Sequence, residues 1–141
     1  MKPSHVALLL AAAAVVSAMP LVATRAQDSA GGTTNVAISQ EGARIYQQIC
    51  QACHMADARG GGGAGTGIPG LADNPRLADK AYAIEILVTG RGGMPWFTDI
   101  LSPAQIAAVL THVRSQFNAY PDAVTVAEVE AAIAHSGGSG E

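Results

Sequence analysis

Two cysteines and a histidine form the most specific chemical pattern in the chain, Cys50-x-x-Cys53-His54. In one helical turn, positions i and i+3 lie on the same face, so both thiols can bond to one edge of a flat ring. The imidazole of His54 can then ligate a metal at the centre of that ring. The spacing Cys-x-x-Cys-His is typical of c-type haem attachment, with Cys50 and Cys53 as the covalent links and His54 as an iron ligand.

Two other kinds of site also use a close cysteine pair. A thioredoxin-like dithiol is expected near a βαβ pattern, and the sequence has no alternation of apolar and polar residues long enough to predict strands. A tetrahedral zinc site would need a fourth ligand besides Cys50, Cys53 and His54, and adjacent cysteine and histidine ligands are uncommon. The sequence therefore favours haem, although the dithiol and zinc alternatives stay open until the cofactor is identified.

A sixth ligand for the iron is predicted by elimination among the four methionines. Two of them belong to the N-terminal segment that is expected to be removed, and Met55 follows His54 too closely to reach the opposite face. The remaining Met94 lies in a Gly-Arg-Gly-Gly-Met-Pro segment, where glycines let the backbone approach a flat group closely. We therefore predict His54 and Met94 as the iron ligands.

Other arrangements of the iron are possible. His112 and His135 could give bis-histidine ligation, but His112 lies about 120° from the centre of an apolar helical stripe and is expected to face solvent or the rim. His135 precedes a polar tail. If Met94 did not bind, the open sixth position would suit a haem catalyst or a gas sensor.

Helices must position these residues. Apolar spacing predicts a helix from Ser39 into Cys50 with Gly42 on its buried face, where glycine costs about 1 kcal/mol relative to alanine, so close approach by another helix is expected. A second helix is predicted over residues 80–89, ending at Gly90. Capping boxes at Ser102 and Thr125 predict two more helices. The fold class is all-α, with a long glycine-rich loop over residues 55–70.

The ends of the chain carry separate predictions. Residues 1–26 have a basic start, an apolar stretch and small residues near Ala26, which is typical of a cleaved secretory signal; a retained membrane anchor is the alternative. Residues 27–37 are predicted to be a flexible leader, residues 38–136 the folded domain and residues 137–141 a disordered tail. The domain is therefore expected outside the cytoplasmic membrane, in the periplasm.

Composition limits the partners. After residue 26 the chain has six basic and eleven acidic side chains, which makes nucleic acid an unsuitable partner. Only 4% of the residues are aromatic, so few large side chains are available for a core. A cofactor rather than side chains is therefore expected to fill the centre.

Taken together, residues 38–134 resemble the class I monohaem cytochromes c of bacteria. The resemblance rests on an ordered set: a helix with Gly42 and Tyr46, the Cys50 to His54 motif, a glycine-rich loop to Pro69 and Leu71, Gly-Met94-Pro, and the Ser102 helix. It implies about four short helices wrapped around one covalent haem c. It also implies that the first and Ser102 helices cross at Gly42, against a face with Val113 and Phe117, and that the Pro69 carbonyl accepts a hydrogen bond from the ligand imidazole.

The same resemblance implies a function. Such proteins carry single electrons between redox proteins, here from a dehydrogenase as donor to an oxidase or another cytochrome as acceptor. Similar sequences also occur as cytochrome subunits of periplasmic dehydrogenases. Association with a membrane is expected only if the N-terminal segment is retained.

Overall fold

The computed structural model describes residues 32–61 and 67–137. In these ranges the regular structure is helical and no strand is formed, which confirms the all-α prediction. The elements are α1 (Gly32–Ile45), a π-helical turn (Tyr46–Cys50), α2 (Gln51–His54), a 3₁₀ turn (Pro75–Ala78), α3 (Lys80–Thr89), α4 (Pro103–Gln116) and α5 (Val126–Gly137). The predicted signal segment and residues 138–141 of the predicted tail lie outside the described residues.

The first helix begins earlier than the sequence indicated. We expected a start at Ser39, but α1 begins at Gly32 and includes residues that were assigned to the leader. No proline interrupts this stretch, and once a helix has formed, each further residue adds one hydrogen bond at little cost. The predicted boundary at Ser39 is therefore wrong. At the other end, α5 likewise includes Gly137 of the predicted tail.

The crossing of α1 and α4 depends on Gly42. A Cβ atom built on this glycine would lie 2.2 Å from the carbonyl oxygen of Ala108 and 2.8 Å from the Cβ of His112. The predicted close approach of a second helix is confirmed. At Gly42 itself the neighbours are Ala108 and His112, whereas Phe117 packs on Tyr46 with ring centroids 4.9 Å apart.

We expected His112 to face solvent or the rim, but the structure packs it against two aromatic rings. It is half-buried, with its ring centroid 5.9 Å from that of Tyr46 and 5.6 Å from that of Phe117. Because glycine at position 42 lets α1 approach so closely, α1 covers the flank of α4 beside the apolar stripe. This burial lowers the pKa of His112 from its usual value.

Local capping positions the other helices as the sequence predicted. The Asp79 carboxylate accepts hydrogen bonds from the amides of Ala81 (2.9 Å) and Tyr82 (3.3 Å), which starts α3. At Ser102 the side chain accepts from the amide of Gln105, and the Gln105 side chain accepts from the amide of Ser102. These contacts confirm the predicted helix over residues 80–89 and the capping box of α4.

One buried cation was not expected from the sequence. Arg114 on α4 is 1% exposed, and its guanidinium donates to the carbonyl oxygens of Leu77 (2.8 Å) and Ala78 (3.3 Å). It also donates to the Asp122 carboxylate at 2.9 Å. Arg114 thereby joins the 3₁₀ turn to the segment that precedes α5.

Among the described residues, no helix combines the length and apolar character that crossing a membrane needs.

Candidate cofactor site

The two cysteines and His54 lie on consecutive turns at the end of one helical run. Cys50 closes the π-helical turn, and α2 carries Cys53 and His54. π-helical turns of this kind occur frequently at functional sites. Cys50 is half-buried, Cys53 is exposed, and the two do not form a disulfide. Burial, with a smaller contribution from Cys53, raises the pKa of the Cys50 thiol to about 11.

The imidazole of His54 is buried and has a defined partner. Its Nδ1 atom lies 3.1 Å from the carbonyl oxygen of Pro69. A carbonyl oxygen can only accept a hydrogen bond, so Nδ1 carries a proton, and in the neutral imidazole the lone pair is then on Nε2. The free Nε2 is the atom with which a neutral imidazole ligates a metal.

Glycine lets the loop return to His54. The amide of Gly60 donates to the His54 carbonyl (3.0 Å), and the amide of Gly61 donates to the Ile68 carbonyl (3.1 Å). Gly60 has a φ of +65°, and a Cβ there would lie 2.6 Å from the Ile68 oxygen and 2.7 Å from the Pro69 oxygen. Only glycine therefore allows Pro69 to pass at this distance.

The far end of the same loop is fixed by Ala58. This residue is fully buried, and its carbonyl accepts hydrogen bonds from the amides of Leu71 (2.7 Å) and Ala72 (2.9 Å). The Asn118 side chain donates to the Leu71 carbonyl at 2.9 Å. The position of Pro69 is thus held from both sides by backbone contacts.

Tyr46 contacts the residue that follows the histidine. Its side chain is buried, and its hydroxyl donates a 2.7 Å hydrogen bond to the Met55 carbonyl. Burial, with smaller contributions from Cys50 and Asp57, raises the pKa of Tyr46 to about 12, so the hydroxyl keeps its proton at neutral pH. The sequence shows only a tyrosine beside an apolar face and gives no signal for this contact.

Met94 lies on a separate tight turn after α3. Its amide donates to the Arg91 carbonyl (3.0 Å), and the Arg91 amide donates to the Met94 carbonyl (2.9 Å). Gly90 precedes the turn with a φ of +73°, and a Cβ there would lie 2.8 Å from the Met94 oxygen. Met94 is half-buried against the core, and residues 89–96 line an open pocket of about 290 Å³.

The structure brings some of the predicted site residues together and leaves others apart. Cys50, Cys53 and His54 share one helical end, and Pro69 contacts His54 as the resemblance implied. Met94 borders its own pocket, whose lining does not include the His54 turn. Its role as an iron ligand therefore stays a prediction, as do the role of His54 as an iron ligand and that of Pro69 as a cofactor-binding residue.

The residues present fit a covalent haem. Two cysteines that form no disulfide precede an imidazole that a backbone carbonyl holds through Nδ1. A carbonyl partner on the second ring nitrogen fixes the orientation of a ligating histidine and raises its basicity. Among the described residues, no cluster of three or more His, Cys, Asp or Glu side chains could hold a metal ion instead.

Comparison with known proteins identifies the family. Residues 37–113, more than half of the chain, match the family model of cytochrome c oxidase, cbb3-type, subunit III. The chain belongs to this family. It is therefore a c-type cytochrome domain that binds haem c covalently, and its only two cysteines are Cys50 and Cys53.

Two curated relatives agree with the family. A cbb3-type cytochrome c oxidase subunit FixP of Bradyrhizobium sp. (strain ORS 278) is 38% identical over 77 residues, which are 52% of this chain and 26% of that protein. A cbb3-type cytochrome c oxidase subunit CcoP of Azospirillum brasilense is 31% identical over 88 residues, 59% of this chain and 30% of that protein. The chain thus spans between a quarter and a third of these relatives. Electron transfer through haem c is the function that the family supports.

Proposed function

We propose that this chain is a periplasmic one-electron carrier with His54 and Met94 as iron ligands, and that it delivers electrons to a terminal oxidase. The observation that carries the proposal is the hydrogen bond from His54 Nδ1 to the Pro69 carbonyl, because it leaves Nε2 as a ligand atom. When bound, haem c supplies the one-electron couple between ferric and ferrous iron.

The residues of this chain set the conditions for that couple. His54 provides a neutral imidazole in a fixed orientation, and Pro69 strengthens its basicity. The thioether of Met94 on the opposite side would raise the reduction potential relative to a second nitrogen ligand. If His54 and Met94 both held the iron, no position would be left on it for oxygen or a substrate.

The proposed acceptor is an oxidase because the matched relatives are named as oxidase subunits. A dehydrogenase or another redox protein is the proposed donor, and the chain works either as a free carrier or as part of a complex. Eleven acidic side chains against eight basic ones favour a partner with a basic docking face. Electron delivery should accordingly slow as ionic strength rises.

The remaining sequence predictions belong to the same proposal. Residues 1–26 would direct export and be removed after Ala26, and residues 38–136 would form the cytochrome domain. Co-purification of the haem-containing protein with a membrane oxidase would support assembly in a complex. Recovery in a soluble periplasmic fraction, without an oxidase, would support a free carrier.

Carbon monoxide distinguishes the carrier from a haem catalyst or sensor. Carbon monoxide binds reduced haem iron only where an axial position is open, so the reduced wild-type holoprotein should keep its visible spectrum in its presence. Met94→Ala should open that position and respond to the gas. Met55→Leu, which removes the other methionine sulfur of the domain, is the matched control and should not respond. A wild-type protein that binds carbon monoxide readily would contradict the proposal.

A further inference from the structure

The residue directly after His54 has an unusual backbone conformation. Met55 has φ 67° and ψ 166°, a region that is accessible essentially to glycine alone. A non-glycine residue stays there only when its surroundings fix it. Because Met55 is bonded to His54, its conformation sets the direction in which the chain leaves the histidine.

Tyr46 supplies one of the contacts that fix Met55. The Met55 carbonyl accepts a hydrogen bond from the Tyr46 hydroxyl at 2.7 Å and a longer one from the Ala58 amide at 3.2 Å. The tyrosine ring is itself held between His112 and Phe117 at the crossing of α1 and α4. A rigid side chain from the helix crossing therefore reaches the peptide next to the histidine.

We propose that Tyr46 is a positioning residue for His54: its hydroxyl holds the strained Met55 peptide and thereby keeps the imidazole directed at the Pro69 carbonyl. The inference rests on the proposed role of His54 as an iron ligand. Tyr46 acts on His54 through two neighbouring carbonyl groups. Its hydroxyl binds the carbonyl of Met55. The carbonyl of His54 accepts a hydrogen bond from the Gly60 amide, which closes the loop that begins at Met55.

The hydroxyl can be tested without disturbing the packing of the ring. Tyr46→Phe keeps the aromatic contacts and removes the hydrogen bond to Met55. A typical hydrogen bond contributes about 1 kcal/mol, so hydrogen exchange at His54 Nδ1, followed by NMR in the reduced holoprotein, should become about fivefold faster. The reduction potential should rise, because a weaker contact with Pro69 leaves the imidazole less basic.

A matched control and a rescue variant separate positioning from general stability. Tyr120 is also a partly buried tyrosine, and the described residues provide no hydrogen-bond acceptor for its hydroxyl. Tyr120→Phe should therefore leave hydrogen exchange at His54 Nδ1 and the reduction potential unchanged. Met55→Gly added to Tyr46→Phe lets this position adopt a φ of 67° without strain and should restore slow exchange. A tyrosine that only stabilised the core would not be rescued in this way.

Each outcome has a defined meaning. Faster exchange with rescue by Met55→Gly supports the inference, as does a Tyr46→Phe protein that gives holoprotein only when Met55→Gly is added. Unchanged exchange and potential in Tyr46→Phe would overturn it, and so would failure of both variants to form holoprotein. A wild-type spectrum without histidine ligation would instead refute the proposed function, so the two failures are distinguishable.

Discussion

The crossing of α1 and α4 and the described parts of the loop after His54, residues 55–61 and 67–69, are held by different kinds of contact. At the crossing, Gly42 lies against Ala108, and complementary side-chain sizes set the distance between the helices. In the loop, backbone hydrogen bonds from Gly60 to the His54 carbonyl and from Gly61 to the Ile68 carbonyl bring Pro69 beside the histidine. Side-chain size therefore determines the first region, and backbone conformation determines the second.

The largest effect is expected at the crossing. In Gly42→Ala, the new methyl group would lie 2.2 Å from the Ala108 oxygen, and only separation of the two helices can relieve the overlap. The free energy of unfolding of the holoprotein should fall by about 3 kcal/mol, the upper part of the range for overpacking. Denaturant unfolding measures it. Gly93→Ala, which meets open space, should change stability by less than about 0.5 kcal/mol.

A smaller loss of stability with a more local effect on the site is expected in the loop. Gly60 has a positive φ, and a Cβ atom there would lie less than 3 Å from backbone atoms of Ile68 and Pro69. Gly60→Ala should therefore lower the free energy of unfolding by about 2 kcal/mol. Hydrogen exchange at His54 Nδ1 should accelerate as Pro69 is displaced. Gly61 also has a positive φ, but a Cβ atom there would meet no other atom. Gly61→Ala should therefore lose only the free energy that alanine needs to adopt this backbone conformation. Equal losses in the two variants would contradict the account of the Pro69 approach.

Acidification should weaken the crossing rather than the loop. Burial lowers the pKa of His112 below its usual value near 6.5, so the unfolded chain binds this proton more readily than the folded one. The stabilising contribution is therefore complete above pH 6.5 and decreases as the pH falls below it. The difference in unfolding free energy between wild type and His112→Phe should change with pH over this window. A difference that is constant down to pH 5 would contradict the burial of a neutral imidazole.

The smallest effect is expected at a half-buried ion pair near the surface, which provides a reference for both regions. The Lys80 ammonium lies 2.7 Å from the Glu128 carboxylate and, with the contacts of Thr125, lowers the pKa of Glu128 to about 2. This contribution is present above pH 4.5 and is lost as the pH falls toward 2. Because solvent still reaches both side chains, which are 29% and 37% exposed, Glu128→Gln should cost less than about 1 kcal/mol at neutral pH and remove that acid dependence. Chemical denaturation of wild type and Glu128→Gln across this pH range measures both the loss of unfolding free energy at neutral pH and its dependence on acid.

The structural roles of some residues could be predicted from the sequence because their neighbours in the chain indicate them. Ser102 and Thr125 form capping boxes because cap and partner lie three residues apart, and Gly42 marks a close approach because glycine is unfavourable inside a helix. The cysteines and His54 followed from their spacing, and Pro69 from the resemblance alone.

Contacts to main-chain carbonyls could not be predicted in this way. Tyr46 binds the carbonyl of Met55, and Arg114 binds those of Leu77 and Ala78. Every residue supplies a carbonyl, so no residue type marks the partner. The early start of α1 at Gly32 was missed for a related reason, since neither a capping residue nor a proline marks it in the sequence.

The most direct test of the account is an NMR spectrum of the reduced holoprotein that detects the methyl group of an iron-bound methionine. A methionine over the face of a haem has its methyl signal shifted strongly upfield by the ring current of the macrocycle. The account predicts one such signal, which persists in Met55→Leu and disappears in Met94→Ala. A wild-type spectrum without this signal, or a signal that survives in Met94→Ala, would contradict ligation by Met94 opposite His54.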